Sequence, residues 1–138
     1  MQELRPRLIT LPKIGQRETG FISLLENENL PFIPKRIYWT YNIPKTLDRG
    51  KHAHKLNEQV IIVVSGSILF NLETMYGEKI SFTLNSPNTG LFIPKMTWRD
   101  LIFQKDAILV CIASEVFLEE DYIRSYKEFL EMQSKFQS

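Results

Sequence analysis

Short runs of β-branched and aromatic residues, closed by Gly or Pro, recur through most of this chain. No other feature constrains its fold as much. Lys35 to Tyr41 is one such run, and Gln59 to Ser65 is continuously apolar, as a strand buried on both faces is. In Ser67 to Leu72 and Lys79 to Leu84, apolar residues alternate with others, so Ile68, Phe70 and Leu72 share one face and Ile80, Phe82 and Leu84 another. Met75-Tyr76-Gly77-Glu78 between them is a turn candidate for a hairpin. Gly90 to Ile93, Trp98 to Phe103 and Ile108 to Ala113 supply three more runs, with Gly66, Pro87, Gly90 and Pro94 at the joins. Strands spaced by roughly 8–12 residues with no helix between them predict an all-β antiparallel sandwich or barrel.

The tail changes period. From about 119 to 136, Tyr122, Ile123, Tyr126, Phe129, Leu130 and Met132 recur near helical spacing. Glu119, Glu120 and Asp121 sit where a helix dipole favours negative charge. One C-terminal amphipathic helix is expected, laid on the barrel or on a partner subunit. With 138 residues, a single domain spanning 1–138 is expected. A net charge of +1 argues against a broad nucleic-acid surface. Met1 to Arg7 has no apolar core of a signal peptide, and the longest strongly apolar run, Val60 to Val64, is too short to span a bilayer. The one cysteine, Cys111, lies in an apolar run and reads as a buried hydrophobe. Having no intrachain partner, it fits a reducing cytoplasm.

The chemistry concentrates in Arg49-Gly50-Lys51-His52-Ala53-His54-Lys55, which holds the only two histidines. On a strand, residues i and i+2 point to one side, so both imidazoles enter one space. Histidine is both a metal ligand and the side chain that titrates nearest neutral pH. A metal site and a proton-transfer site are therefore the two readings.

A small β-barrel with His-x-His near a strand start resembles the cupins. Four residues follow His54, then Gln59, then six residues, then Gly66. This is the first cupin motif with Gln in place of the ligand Glu. Pro94-Lys95-Met96-Thr97-Trp98-Arg99 fits the second motif with Arg in place of the ligand His. Arginine stays protonated and is no ordinary ligand, and neutral Gln is a poor substitute for carboxylate. The expectation is a pocket without metal or other cofactor, in which Arg99 holds an anionic oxygen.

A longer ordered set resembles the sugar 3,4-ketoisomerases, which are cupin enzymes. It comprises Lys35-Arg36-Ile37-Tyr38, the His-x-His string, Glu58-Gln59-Val60, Asn85-Ser86-Pro87 with Gly90-Leu91, Pro94 with Trp98, Ala113-Ser114 and Asp121-Tyr122-Ile123-Arg124-Ser125-Tyr126. The resemblance implies an isomerase that moves the ketone of dTDP-4-keto-6-deoxyglucose from C4 to C3 through an enediol. It implies His52 as principal base and His54 as second proton carrier or sugar-positioning group. Tyr38 would be a hydroxyl relay and Arg99 an enolate or sugar contact. Arg49, Arg36 and behind them Lys55 would hold the diphosphate, with Trp98 as a pocket wall. Thr19 stands where relatives carry a larger polar residue and, with Arg99, bears on the C4 configuration; Arg99 favours the gluco product. A homodimer is implied too, with strand edges in the first 30 residues available for pairing. The implied setting is a cytoplasmic one, in 3-amino-sugar synthesis for surface polysaccharide such as lipopolysaccharide, with an aminotransferase acting next. A 3,5-epimerase of the same substrate, a non-catalytic nucleotide-sugar-binding cupin and a metal-dependent enzyme are the alternatives.

Overall fold

The computed structural model of the protein describes residues 3–45 and 47–138, so Met1 and Gln2 of the N-terminal reading, and Thr46, lie outside it. In chain order the strands are β1 (Arg7–Thr10), β2 (Ile14–Gln16), β3 (Gly20–Ile22), β4 (Arg36–Thr40), β5 (Arg49–His54), β6 (Gln59–Glu73), β7 (Lys79–Leu84), β8 (Thr89–Ile93), β9 (Trp98–Ala113) and β10 (Tyr122–Ile123). One helix, α1 (Tyr126–Gln137), ends the chain. Every described pairing is antiparallel. The main sheet runs β1-β8-β6-β9-β5-β10, with β4 also paired to β9 and β7 to β6, while β2 and β3 form a separate hairpin.

Two long strands organise this all-β barrel. The runs expected as separate strands at Gln59–Ser65 and Ser67–Leu72 are one 15-residue strand, and those at Trp98–Phe103 and Ile108–Ala113 are one of 16 residues. The joins are irregularities within continuous strands, not chain reversals. The β6–β9 register shifts between Val63 and Ser67, opposite Lys105 and Asp106, whose φ values are 56° and 53°. Gly66, at φ 74°, is required there: a Cβ would lie 2.6 Å from Ala107 Cα and 2.7 Å from Lys105 O. Bending at this point lets each long strand serve two sets of neighbours. The first part of β6 pairs with β8 and its second part with β7. Similarly β9 pairs with β5 near its start and with β4 near its end.

The barrel interior is filled by alternating residues of these strands, including Ile61, Val63, Ile68, Phe70, Leu101 and Cys111. The continuous run at Val60–Val63 is explained by a second layer: Val60 packs outward with Ile9, Leu11 and Phe92. A third cluster joins the helix to the barrel through Ala53, Met75, Ile123 and Phe129.

The C-terminal helix starts later than its apolar spacing suggests. Glu119–Asp121 is a 3-10 turn, Tyr122 and Ile123 pair with His54 and Ala53 as β10, and α1 begins after Ser125, whose hydroxyl accepts from Glu128 N. A Ser cap satisfies an orphan amide at the helix start. Strand pairing in this segment outcompetes helical continuation. Among the described residues no helix is long and apolar enough to cross a membrane.

Candidate active site

The site forms where β4, β5 and β9 lie side by side and β10 closes the end. The two imidazoles come together as their spacing predicts, with ring centroids 4.9 Å apart and planes 86° to one another. They do so beyond a bulge: the register shifts between Gly50 and His52, and both Gly50 and Lys51 have positive φ. Gly50 is needed for close approach as well, since a Cβ there would stand 3.1 Å from Arg99 O. The bulge aims the Gly50 carbonyl at its own histidine, so that His52 Nδ1 lies 2.9 Å from Gly50 O. A carbonyl only accepts, so Nδ1 carries the proton and Nε2 is left as the basic lone pair.

His52 lines an open cleft of about 510 Å³ with Tyr38, Arg36, Arg49, Tyr122 and Arg124. It also lines a smaller inner cavity of about 80 Å³, whose walls include Tyr38, Gln59 and Arg99. Burial first, and then the neighbouring guanidiniums of Arg99, Arg124 and Arg49, push His52 down to about 3 against the pull of the Gly50 bond. At neutral pH it is an uncharged base.

His54 occupies a different place from the one expected. It is 1% exposed and does not line the cleft. Its Nδ1 donates to Asp121 Oδ2 at 2.9 Å, and Asp121 accepts further from Leu56 N at 2.6 Å and Asn57 N at 3.3 Å. A carboxylate at this distance favours the imidazolium, but burial and then Arg99 oppose it and hold His54 neutral. His54 therefore backs His52 within an aromatic cluster with Tyr122, behind the cleft lining.

Behind the cleft lies a buried polar chain. Arg99, cross-strand neighbour of His52, is 2% exposed and donates to Gln59 Oε1 and, at 3.2 Å, to Thr97 O. Gln59, also 2% exposed, donates through Nε2 to the Tyr38 hydroxyl at 2.9 Å. Burial, together with Cys111, pushes the Tyr38 phenol well above its ordinary value, so at rest the hydroxyl is protonated. Cys111 is a buried thiol pushed up to about 11, as a hydrophobe-like cysteine should be.

The two ligand positions of a metal cupin are thus taken by a guanidinium and an amide that bond each other. Among the described residues no three His, Cys, Asp or Glu side chains come together to hold a metal ion. The donor set does not fit one.

Arg36 and Arg49 stand at the open cleft, Arg36 with Nε buried and unpartnered among the described residues. Three expected binding residues are not brought there. Trp98 neighbours Arg99 on β9 and faces the other way, packing on Tyr126 and Phe129 and lining a separate outer cleft of about 500 Å³. Strand alternation dictates this. Thr19 is exposed in the β2–β3 turn, and Lys55 is exposed, its backbone N–H bonded to Asp121 O. Asp121, Tyr122 and Arg124 were missed as site residues. Their signal was the tail string itself, which its apolar spacing disguised as helix.

The family model described as "FdtA: WxcM-like, C-terminal" matches residues 5–134. A TDP-4-oxo-6-deoxy-alpha-D-glucose-3,4-oxoisomerase of Aneurinibacillus thermoaerophilus is 34% identical over 125 residues, 89% of this chain and 88% of that protein. The crystal structure of a 3,4-ketoisomerase from Helicobacter canadensis is 37% identical, covers 96% of this chain and 99% of its own, and superposes with a TM-score of 0.88. A histidine-to-asparagine mutant of the 3,4-ketoisomerase QdtA from Thermoanaerobacterium thermosaccharolyticum, solved with TDP-4-keto-6-deoxyglucose, is 31% identical, covers 98% and 97%, and also gives 0.88. A dTDP-4-dehydrorhamnose 3,5-epimerase from Bacillus anthracis, 15% identical with a TM-score of 0.74 over 85% of this chain and 76% of that one, shares the cupin barrel alone. The family match over most of the chain and the identity to these enzymes show that this chain belongs to the sugar 3,4-ketoisomerase family.

Proposed function

We propose that this chain is an isomerase of TDP-4-keto-6-deoxyglucose that moves the ketone from C4 to C3 by proton transfer through an enediol, without a metal. The observation that carries the reading is His52: a neutral imidazole at a cleft, its Nδ1–H committed to Gly50 O and its Nε2 left to act as base. Nε2 takes the proton from C3 while the Tyr38 hydroxyl gives its proton to the C4 oxygen. The resulting enediol carries hydroxyls at both carbons. His52 then returns its proton to C4, and the phenolate of Tyr38 takes the O3 proton as the C3 ketone forms. Proton count and charge are restored at the end of the cycle. Buried Arg99 stabilises the negative charge that appears on oxygen in passing.

Arg36, Arg49 and Arg124 supply cation density suited to a diphosphate at the mouth of the same cleft. The kinship with enzymes named for TDP sugars supports the nucleotide. Arg99 favours return of the proton to give the gluco product. A homodimer completes the reading. Ile14, Phe21 and Ile22 leave the β2–β3 hairpin with exposed apolar side chains, a face suited to pairing with a second copy. One catalytic domain over 1–138, acting in the cytoplasm ahead of an aminotransferase in 3-amino-sugar synthesis for surface polysaccharide, is the setting proposed.

The test is His52→Asn. Turnover should vanish while the substrate binds within about tenfold of the parent, roughly 1.4 kcal/mol by calorimetry. Retained turnover would remove His52 as the base. An inactive parent that loses affinity with the substitution would favour a binding protein.

A further inference from the structure

We infer that Gln59 is a positioning residue that aims the Tyr38 hydroxyl proton at the substrate and fixes Arg99 beside His52. The inference rests on the isomerase reading above and goes beyond it in giving Gln59 a task.

The argument is one of donors and acceptors. Arg99 has only N–H groups to offer, so the atom of Gln59 that meets it is the carbonyl oxygen. The amide cannot turn around without opposing two donors. Its NH₂ group therefore faces Tyr38 and donates to the phenol oxygen at 2.9 Å. The phenol's own hydrogen is thereby excluded from that direction. Its cross-strand neighbour is Cys111, whose thiol is a weak acceptor that competes little with a ketone oxygen for that hydrogen. Gln59 and Arg99 are each 2% exposed, so water does not compete for these bonds. A glutamate at position 59 would reverse the logic. Its carboxylate would draw the phenol proton to itself and neutralise the guanidinium that helps keep His52 uncharged. The amide is thus the side chain this chemistry requires.

Gln59→Glu is nearly isosteric and is the variant to make. The expected result is a kcat about 100-fold lower, the low end of what general acid–base groups contribute, with KM within about threefold. In a Tyr38→Phe background the same change should cost clearly less, about tenfold, because only its effect through Arg99 remains. His52 should bind its proton about tenfold more tightly, followed by NMR of the imidazole. The groups facing His52 are Arg99 on β9, Arg49 and His54 on β5, Tyr38 on β4, Tyr122 on β10 with Arg124 beyond it, and Asp48 at the cleft rim. Of these, Arg99 and Tyr38 bond the altered side chain, and Arg99 is the charged one of the two.

A full loss of kcat in both backgrounds, or a rise in KM alone, overturns the inference. So does a His52 proton affinity equal in parent and variant, whether or not the parent turns over, which separates this failure from failure of the isomerase reading. Should the glutamate variant not fold, Gln59→Met removes donor and acceptor at similar size. It should show the same loss of kcat and the same dependence on Tyr38.

Discussion

Asp121 ties the tail of the chain to the histidine strand, and Asp121→Asn tests how tightly. Its carboxylate, 8% exposed, accepts from Leu56 N at 2.6 Å, from His54 Nδ1 at 2.9 Å and from Asn57 N at 3.3 Å. Bonds to a charged acceptor contribute about 1.5–3 kcal/mol each and neutral ones about 1 kcal/mol. The asparagine must turn its NH₂ toward one side. Facing Leu56 it would forfeit the shortest bond, so the carbonyl stays there and the NH₂ meets His54 and Asn57. His54 can answer by moving its proton from Nδ1 to Nε2, while the Asn57 amide is left without an acceptor. Weakening two bonds and orphaning a third donor costs about 3 kcal/mol in total, or about 10 °C in Tm for a domain of this size. Urea unfolding gives the first quantity and ¹⁵N shifts of the imidazole give the tautomer. A variant within about 0.5 kcal/mol of the parent, the scale of an ordinary surface change, with His54 still protonated at Nδ1, would refute the reasoning.

Two further outcomes concern stability. Gly66→Ala forces a Cβ to 2.6 Å from Ala107 Cα at φ 74° and should cost about 3 kcal/mol in denaturant unfolding; a cost under about 1 kcal/mol would mean the bulge relaxes freely. The histidines set the acid limb. Burial keeps His52 and His54 neutral in the fold, with values pushed below the 6.5 of the unfolded chain, so the unfolded state binds protons first as pH falls. Their stabilisation is complete above about pH 7 and is lost on acidification toward 3, by about 4 kcal/mol for the pair at pH 5. Urea midpoints equal at pH 7 and pH 5 would contradict this.

The barrel was legible in the sequence because period-two alternation and Gly or Pro punctuation are local signals. The two long strands were not, because Gly66 reads as a join. Only the tertiary pairing of Ser65 and Ser67 with β9 shows that the chain bends there without reversing. The His pair was legible for the same local reason, although a bulge at Gly50 and Lys51 adjusts its aim. Placing both Trp98 and Arg99 in one pocket conflicted with the alternation used elsewhere, and the structure puts Trp98 on the helix side. His54 and Asp121 needed the fold: their contact spans 67 positions, and an acidic run before an apolar repeat reads locally as a helix start. Gln59 looked from its motif like a ligand that had been lost. Its bonds to Arg99 and Tyr38 give it a different place in the site.

The central claim is that a proton leaves C3 and another arrives at C4. NMR of TDP-4-keto-6-deoxyglucose with the purified protein in D₂O tests it directly. The account predicts a 3-ketone product carrying deuterium at C4, with couplings of the gluco configuration. Exchange at C3 and C5 with inversion and no 3-ketone would mark an epimerase and contradict the account, and an unchanged substrate would contradict it as well.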